Sequence, residues 1–293
     1  MELVYKIKDQ DSFELKDIFE CGQCFRWNLS EDGSYTGVVK NAVLNVNKID
    51  NEIIFRGILK NKNTQDEFEK LIRDYFDLDN DYNSIKQKLS SVDEYLKESV
   101  KFGNGIRILN QDLWECIISF IISANNNIPR IKKIIERLSQ NYGEKIEWNG
   151  KEYYSFPTPE KLAKASVQDL REMGLGFRDI RVFNTTQMIL NKTVDLEKIK
   201  NMNNSNKMRG ELLKLDGVGP KVADCILLFS LKRYDVFPID VWVRRVMNEL
   251  YIHNENEEKV NKKEIMTLAK EKFLGIEGLA QQYLFYWKRS KSA

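Results

Sequence analysis

Residue 221 is a lysine in LDGVGPKVADC (residues 215–225), directly behind a glycine–valine–glycine–proline stretch and at the start of an apolar helical pattern. A helix N-terminus carries partial positive charge, so a cation there is electrostatically opposed. Two readings of Lys221 stand. One is a solvated or phosphate-contacting lysine. The other is an amine nucleophile whose pKa is lowered, because the helix dipole and partial burial both disfavour the charged form. Asp240, in VFPIDVWVRRV, precedes a second apolar helical pattern and so reads first as an N-cap. A carboxylate fixed in that way is also what an oxocarbenium-like sugar cation needs nearby.

The elements around Lys221 must hold it at a surface. Leu212 and Leu215 end one helix, Gly217-Val218-Gly219 makes the turn, and Pro220 suits the first position of the next helix. Val222, Ala223, Ile226 and Leu227 form that helix's apolar face. Gly217 and Gly219 permit positive φ and close approach of another backbone. Free N–H groups of the turn then offer a seat for a phosphate that is indifferent to base sequence. This is a helix-hairpin-helix pattern.

Across the whole chain, 293 residues suffice for roughly two domains. Up to about residue 60 the segments are short and β-like (SYTGVVK, AVLNVN, NEIIFRG). From about residue 64 the period becomes helical, as in TQDEFEKLIRDYF, with a central buried helix expected at DLWECIISFIISA. A short hairpin is expected at 144–156, turning at Asn149-Gly150. The expectation is an α+β protein, with a β-rich N-terminal domain and flanking helices over 1–100 and an all-α region over 101–293.

Charge is nearly balanced, 46 Lys and Arg against 44 Asp and Glu, so a nucleic-acid partner has to be argued from particular residues. No apolar run has the length of a membrane span or a signal peptide, and no membrane partner is expected. The lone C-x-x-C at Cys21–Cys24, with isolated Cys116 and Cys225, fits neither a thioredoxin setting nor a four-ligand zinc site. No cofactor or metal is expected. Reduced cysteines and an AT-rich codon bias (many Lys, Asn and Ile) point to a bacterial, cytoplasmic and nucleoid-associated protein.

GVGPKVADC followed by FPIDVWVRRV resembles the HhH-GPD superfamily of DNA glycosylases. CGQCFRWN, SFIISANNNIPRI, MGLGFR and AQQYLFY, met in that order, are similar to the 8-oxoguanine DNA glycosylase/AP lyase family within it. The resemblance implies a TBP-like antiparallel N-terminal domain and a monomer acting on duplex DNA that contains oxidised guanine. It implies that Lys221 attacks the deoxyribose C1′ and forms a Schiff base leading to β-elimination, while Asp240 stabilises the sugar cation. The target nucleotide would be flipped out of the stack. Cys225 and Phe285 would sandwich the base and Gln281 would bond its Watson–Crick edge. The Gly22 carbonyl would accept the N7–H that distinguishes 8-oxoguanine from guanine. On the DNA side, Asn125 would fill the gap left by the flipped base, Arg130 and Arg178 would read the opposite cytosine, and Phe177 would wedge beside it. Phe177 stands where the family has tyrosine. Trp242 stands where the eukaryotic pattern has histidine, and an indole offers one donor in place of two.

Taken singly, each of these has an ordinary reading: Phe285 as core, Gln281 as surface, the asparagines as a helix-ending turn. Two other functions compete, a glycosylase for a different damaged base and a non-catalytic helix-hairpin-helix DNA-binding protein. The latter predicts that Lys221→Gln weakens binding without abolishing any covalent chemistry.

Overall fold

In the computed structural model, residues 2–8, 12–61, 64–256 and 259–291 are described. Five strands form one antiparallel sheet: β1 (Leu3–Lys8), β2 (Trp27–Leu29), β3 (Tyr35–Val39), β4 (Ala42–Ile49) and β5 (Glu52–Leu59), in spatial order β1-β5-β4-β3-β2. The β3–β4 and β4–β5 turns are two residues long, and Lys40 and Asp50 take the positive φ that such turns demand. One face of the sheet buries Ala42, Leu44, Val46 and Phe55 against α1 (Leu15–Glu20) and α2 (Gln65–Tyr75), through Phe19, Phe68, Ile72 and Phe76. On the other face, Val38 and Val43 are covered by Ile146 and Trp148 of a hairpin, β6 (Lys145–Trp148) and β7 (Lys151–Tyr154). Asn149 and Gly150 form its turn, both at positive φ.

α3 (Tyr82–Ser90), α4 (Glu94–Phe102), α5 (Leu113–Ser123), α6 (Ile128–Tyr142), α7 (Pro159–Leu162), α8 (Val167–Glu172) and α9 (Asp179–Leu190) follow. The chain then runs through α10 (Leu196–Lys200), α11 (Ser205–Leu212), α12 (Pro220–Leu231), α13 (Val241–Met247), α14 (Lys262–Lys272) and α15 (Glu277–Lys291). α5 is buried on nearly every side, which is why its sequence shows no polar stripe. The α+β expectation is borne out. The N-terminal segment departs from the β-like reading in one place: Leu15, Ile18 and Phe19 are spaced to bury one helical face, and α1 results.

The two hydrophobic cores meet where Cys21 and Phe25, just past α1, join the helical core, while Cys24 and Trp27 join that of the sheet. The loop between α1 and β2 therefore lies along the seam, which brings Gly22 to the helical region. No helix among the described residues is long and apolar enough to cross a membrane.

Candidate active site

α12 begins as its sequence dictates: Gly219 is the N-cap residue, Pro220 opens the helix and Lys221 follows. α11 ends at Leu212, and Leu215 is buried in the turn beyond it. Arg209 of α11 donates from Nε to Asp224 of α12 at 2.6 Å, tying the two helices of the hairpin together. From α9, Thr185 bonds the Asp216 carbonyl and Asn184 its carboxylate, both at 2.7 Å. Gly217 takes φ +81, and a Cβ there would meet Arg181 at 3.0 Å and Ile121 at 3.2 Å. Gly219 departs from expectation. Its φ is −91, since the chain is already extending into the N-cap, and a Cβ there would meet nothing within 4 Å. Space outside Gly219 is thus left for something that is not this chain.

Lys221 is largely enclosed, with Nζ 5.4 Å from the ring centroid of Phe120 on α5. Phe120 packs on Phe229 and on Phe25, the latter three residues past Gly22. The Lys221 ammonium is held above the ordinary lysine value, by the Cys225 sulfur beside it first and by Asp240 next, while burial opposes both. This direction is opposite to the expected lowering. Burial pushes the Cys225 thiol itself up to about 11, against the pull of the Lys221 ammonium. Asp240 caps α13, accepting the Val243 N–H at 2.8 Å.

α15 carries a second group of the candidate residues. Gln281 is 5% exposed and its Oε1 accepts no hydrogen bond, a deficit worth about 1–3 kcal/mol that a donor on a bound group would remove. Phe285, one turn on, is half-buried, and its Cε1 lies 3.5 Å from where a Cβ on Gly22 would stand. Gly22 takes φ +88, a conformation that favours a bare residue. Arg289, a further turn along α15, was not singled out from the sequence; its guanidinium lies 5.0 Å from the Phe285 ring centroid and bonds the Glu20 carbonyl. Its i, i+4 spacing from Phe285 was the available signal. Cys21 and Cys24 are buried, with thiols directed to the Ile18 and Phe19 carbonyls and both pushed upward by burial.

A third group of residues lies on an exposed rim. The three asparagines after α5 divide their work. Asn127 caps α6, Asn126 folds back on the Ile122 carbonyl, and Asn125 is exposed at φ +51. Arg130 is exposed and donates to the Gly174 carbonyl at 3.1 Å. Phe177 is 52% exposed, with the Arg178 and Arg181 guanidinia 4.2 and 5.4 Å from its ring centroid. Arg178 itself is only 2% exposed, and its donors are taken by the Ala124, Asn125 and Leu175 carbonyls. Trp242 is 37% exposed beside Arg245, whose guanidinium lies 5.6 Å from the indole. Exposed aromatics between arginines suit a polyanion with stacking bases.

The 8-oxoguanine DNA glycosylase N-terminal domain family matches residues 5–117, and the HhH-GPD superfamily of base-excision DNA repair proteins matches residues 118–272. An N-glycosylase/DNA lyase of Saccharomyces cerevisiae is 33% identical over 276 residues, spanning 86% of this chain and 72% of the yeast protein. The apo crystal structure of the Clostridium acetobutylicum 8-oxoguanine glycosylase/lyase is 45% identical with a TM-score of 0.88, covering 97% of this chain and 98% of that one. The same enzyme with double-stranded DNA containing cytosine opposite 8-oxoguanine is 44% identical with a TM-score of 0.90, covering 99% of both chains.

Proposed function

Because the chain belongs to the 8-oxoguanine DNA glycosylase family of the HhH-GPD superfamily, we propose that Lys221 is the nucleophile of its reaction and that the seam between α12, α15 and the Gly22 loop receives the damaged base. The protein is a DNA glycosylase with AP lyase activity that acts on 8-oxoguanine opposite cytosine in duplex DNA. The observation that carries the reading of Lys221 is its position, enclosed at the first turn of α12 with Cys225 and the Asp240 carboxylate as neighbours. A lysine kept only for a phosphate would have no use for that enclosure.

Lys221 Nζ, once deprotonated, forms a bond to C1′ as the glycosidic bond breaks and its electron pair leaves with the base, which takes up a proton. Opening of the sugar gives the Schiff base. A proton then leaves C2′ and the C3′–O bond breaks, its electron pair leaving with the phosphate, which becomes the 5′-phosphate end of the released downstream strand. Asp240, pinned as an N-cap, offsets the positive charge that develops on the sugar. The unpartnered Gln281 Oε1 accepts from the base's Watson–Crick edge, Phe285 and Cys225 enclose its faces, and the Gly22 carbonyl accepts N7–H. Guanine presents a lone pair at N7 and is refused. Gly217, Gly219 and Trp242 seat the backbone, while Asn125, Arg130, Phe177 and Arg178 form the rim at the opposite strand. The work is done on chromosomal DNA, in the cytoplasm and on the nucleoid of a bacterial cell, by a monomer.

Borohydride trapping tests this on a duplex with one 8-oxoguanine opposite cytosine. A covalent adduct is expected with the wild type and none with Lys221→Gln, which still binds the duplex. An adduct that persists in Lys221→Gln would remove the lysine from the mechanism.

A further inference from the structure

Three successive carbonyls, of Glu20, Cys21 and Gly22, leave the end of α1 beside α15. The first accepts from Arg289 Nη2 and the second from Gln282 Nε2 at 2.7 Å. Among the described residues the third accepts nothing. Arg289 Nη1 also lies 3.0 Å from where a Cβ on Gly22 would stand, and its guanidinium sits 5.0 Å from the Phe285 ring centroid. One side chain on α15 therefore touches the loop before Gly22, Gly22 itself and the aromatic wall.

We propose that Arg289 is a positioning residue for lesion recognition. With Gln282 it fastens the Glu20–Cys21 carbonyls to α15, leaving the Gly22 carbonyl as the one available to a base, and it braces the ring against which that base stacks. The proposal rests on the reading of Gly22 as the discriminating acceptor. A guanidinium suits the task because it is planar, stacks on an aromatic ring and donates from its edge at the same time. An ammonium can donate to the Glu20 carbonyl but cannot lie flat on Phe285. Discrimination by a single hydrogen bond needs its acceptor fixed; an acceptor free to turn toward water would lose the penalty that guanine incurs.

The test is made in the full-length Lys221→Gln protein, so that binding is read without turnover. Three duplexes are compared, carrying opposite cytosine an 8-oxoguanine, an 8-oxo-7-deazaguanine that lacks the N7 hydrogen, or a tetrahydrofuran abasic analogue. The parent is expected to prefer 8-oxoguanine over its deaza analogue by ~10–100-fold. Adding Arg289→Ala should collapse that preference to within about twofold while affinity for the abasic duplex stays. Gln282→Leu should lower the preference part of the way, and Arg289→Lys should restore part of what alanine loses. Thermal melting of each variant guards against misfolding. A preference unchanged in Arg289→Ala would overturn the proposal, and so would an equal loss of affinity for all three duplexes, which would mark Arg289 as a backbone contact. A parent that shows no preference would overturn the Gly22 reading and this proposal with it, an outcome visible before any Arg289 variant is made.

Discussion

Arg178 is bonded to the backbone of Asn125: Nη2 donates to its carbonyl at 2.6 Å, while Nε donates to the Ala124 carbonyl at 2.8 Å. The guanidinium is buried and faces this chain's own loop. An arginine so engaged can reach a base only after releasing the loop that carries Asn125. In the free protein Arg178 is a clamp on the loop that, in the function proposed above, meets the duplex. Arg178→Ala should therefore destabilise the protein by about 2–4 kcal/mol through lost bonds to the Ala124, Asn125 and Leu175 carbonyls. It should also weaken duplex binding by ~10-fold or more. Chemical denaturation and fluorescence anisotropy measure the two effects. Full stability in Arg178→Ala would mean that the clamp is not needed to hold the loop.

With Lys221 as the proposed nucleophile, its charge sets the expected pH dependence. Its pKa is raised in the free protein, so the amine is protonated at neutral pH and the reactive fraction grows as pH rises. Borohydride trapping should accelerate between about pH 6 and 9 without reaching a plateau. Asp240→Asn removes a charge that raises the pKa, so the rising limb should move to lower pH even as the rate falls by ~10²–10³-fold. A limb displaced to higher pH in Asp240→Asn would contradict this account of the charge balance.

How far the sequence reveals the site depends on whether a residue's neighbours are local. Lys221, Pro220 and the Asp240 cap were legible because their surroundings are set within one turn of helix. The sheet was legible from alternation and turn residues, whereas α1, only six residues long, was hidden by its neighbours' β-like pattern. The direction of the Lys221 shift was not legible, since it depends on how Cys225 and Asp240 balance burial across two elements. Arg178, expected by resemblance to read the opposite cytosine, is buried against its own loop, a contact that only the folded chain shows. Arg289 and Gln282 matter only because a loop more than 250 residues earlier in the chain returns to α15. Helical spacing can align Arg289 with Phe285 but cannot supply that loop.

The two glycines of the hairpin should separate cleanly. Gly217 combines positive φ with close contacts to Arg181 and Ile121, so Gly217→Ala should cost about 1–3 kcal/mol of stability. Gly219 has ordinary φ and open space, so Gly219→Ala should melt like the wild type. With the phosphate seat proposed for Gly217 and Gly219, its added methyl would stand in the path of the phosphate toward the N-terminal amides of α12, and duplex affinity should fall by ~10-fold. Wild-type affinity in Gly219→Ala would move the phosphate seat elsewhere.

Gly22→Ala tests the division between reading a base and cutting a strand. At φ +88 a methyl is strained, and it would crowd Arg289 Nη1 at 3.0 Å while meeting the Phe285 ring at 3.5 Å. The nearest atoms belong to Arg289 and Phe285, so on the proposed reading the damage falls on the residues that meet the base. Release of 8-oxoguanine, measured as kcat/KM, should fall by ~10²-fold or more. In the proposed mechanism, cleavage of a duplex that already carries an abasic site uses Lys221 but no base, and should continue near the wild-type rate. Equal losses in both assays would show that the strain spreads to α12, and that recognition and strand cleavage are not separable at Gly22.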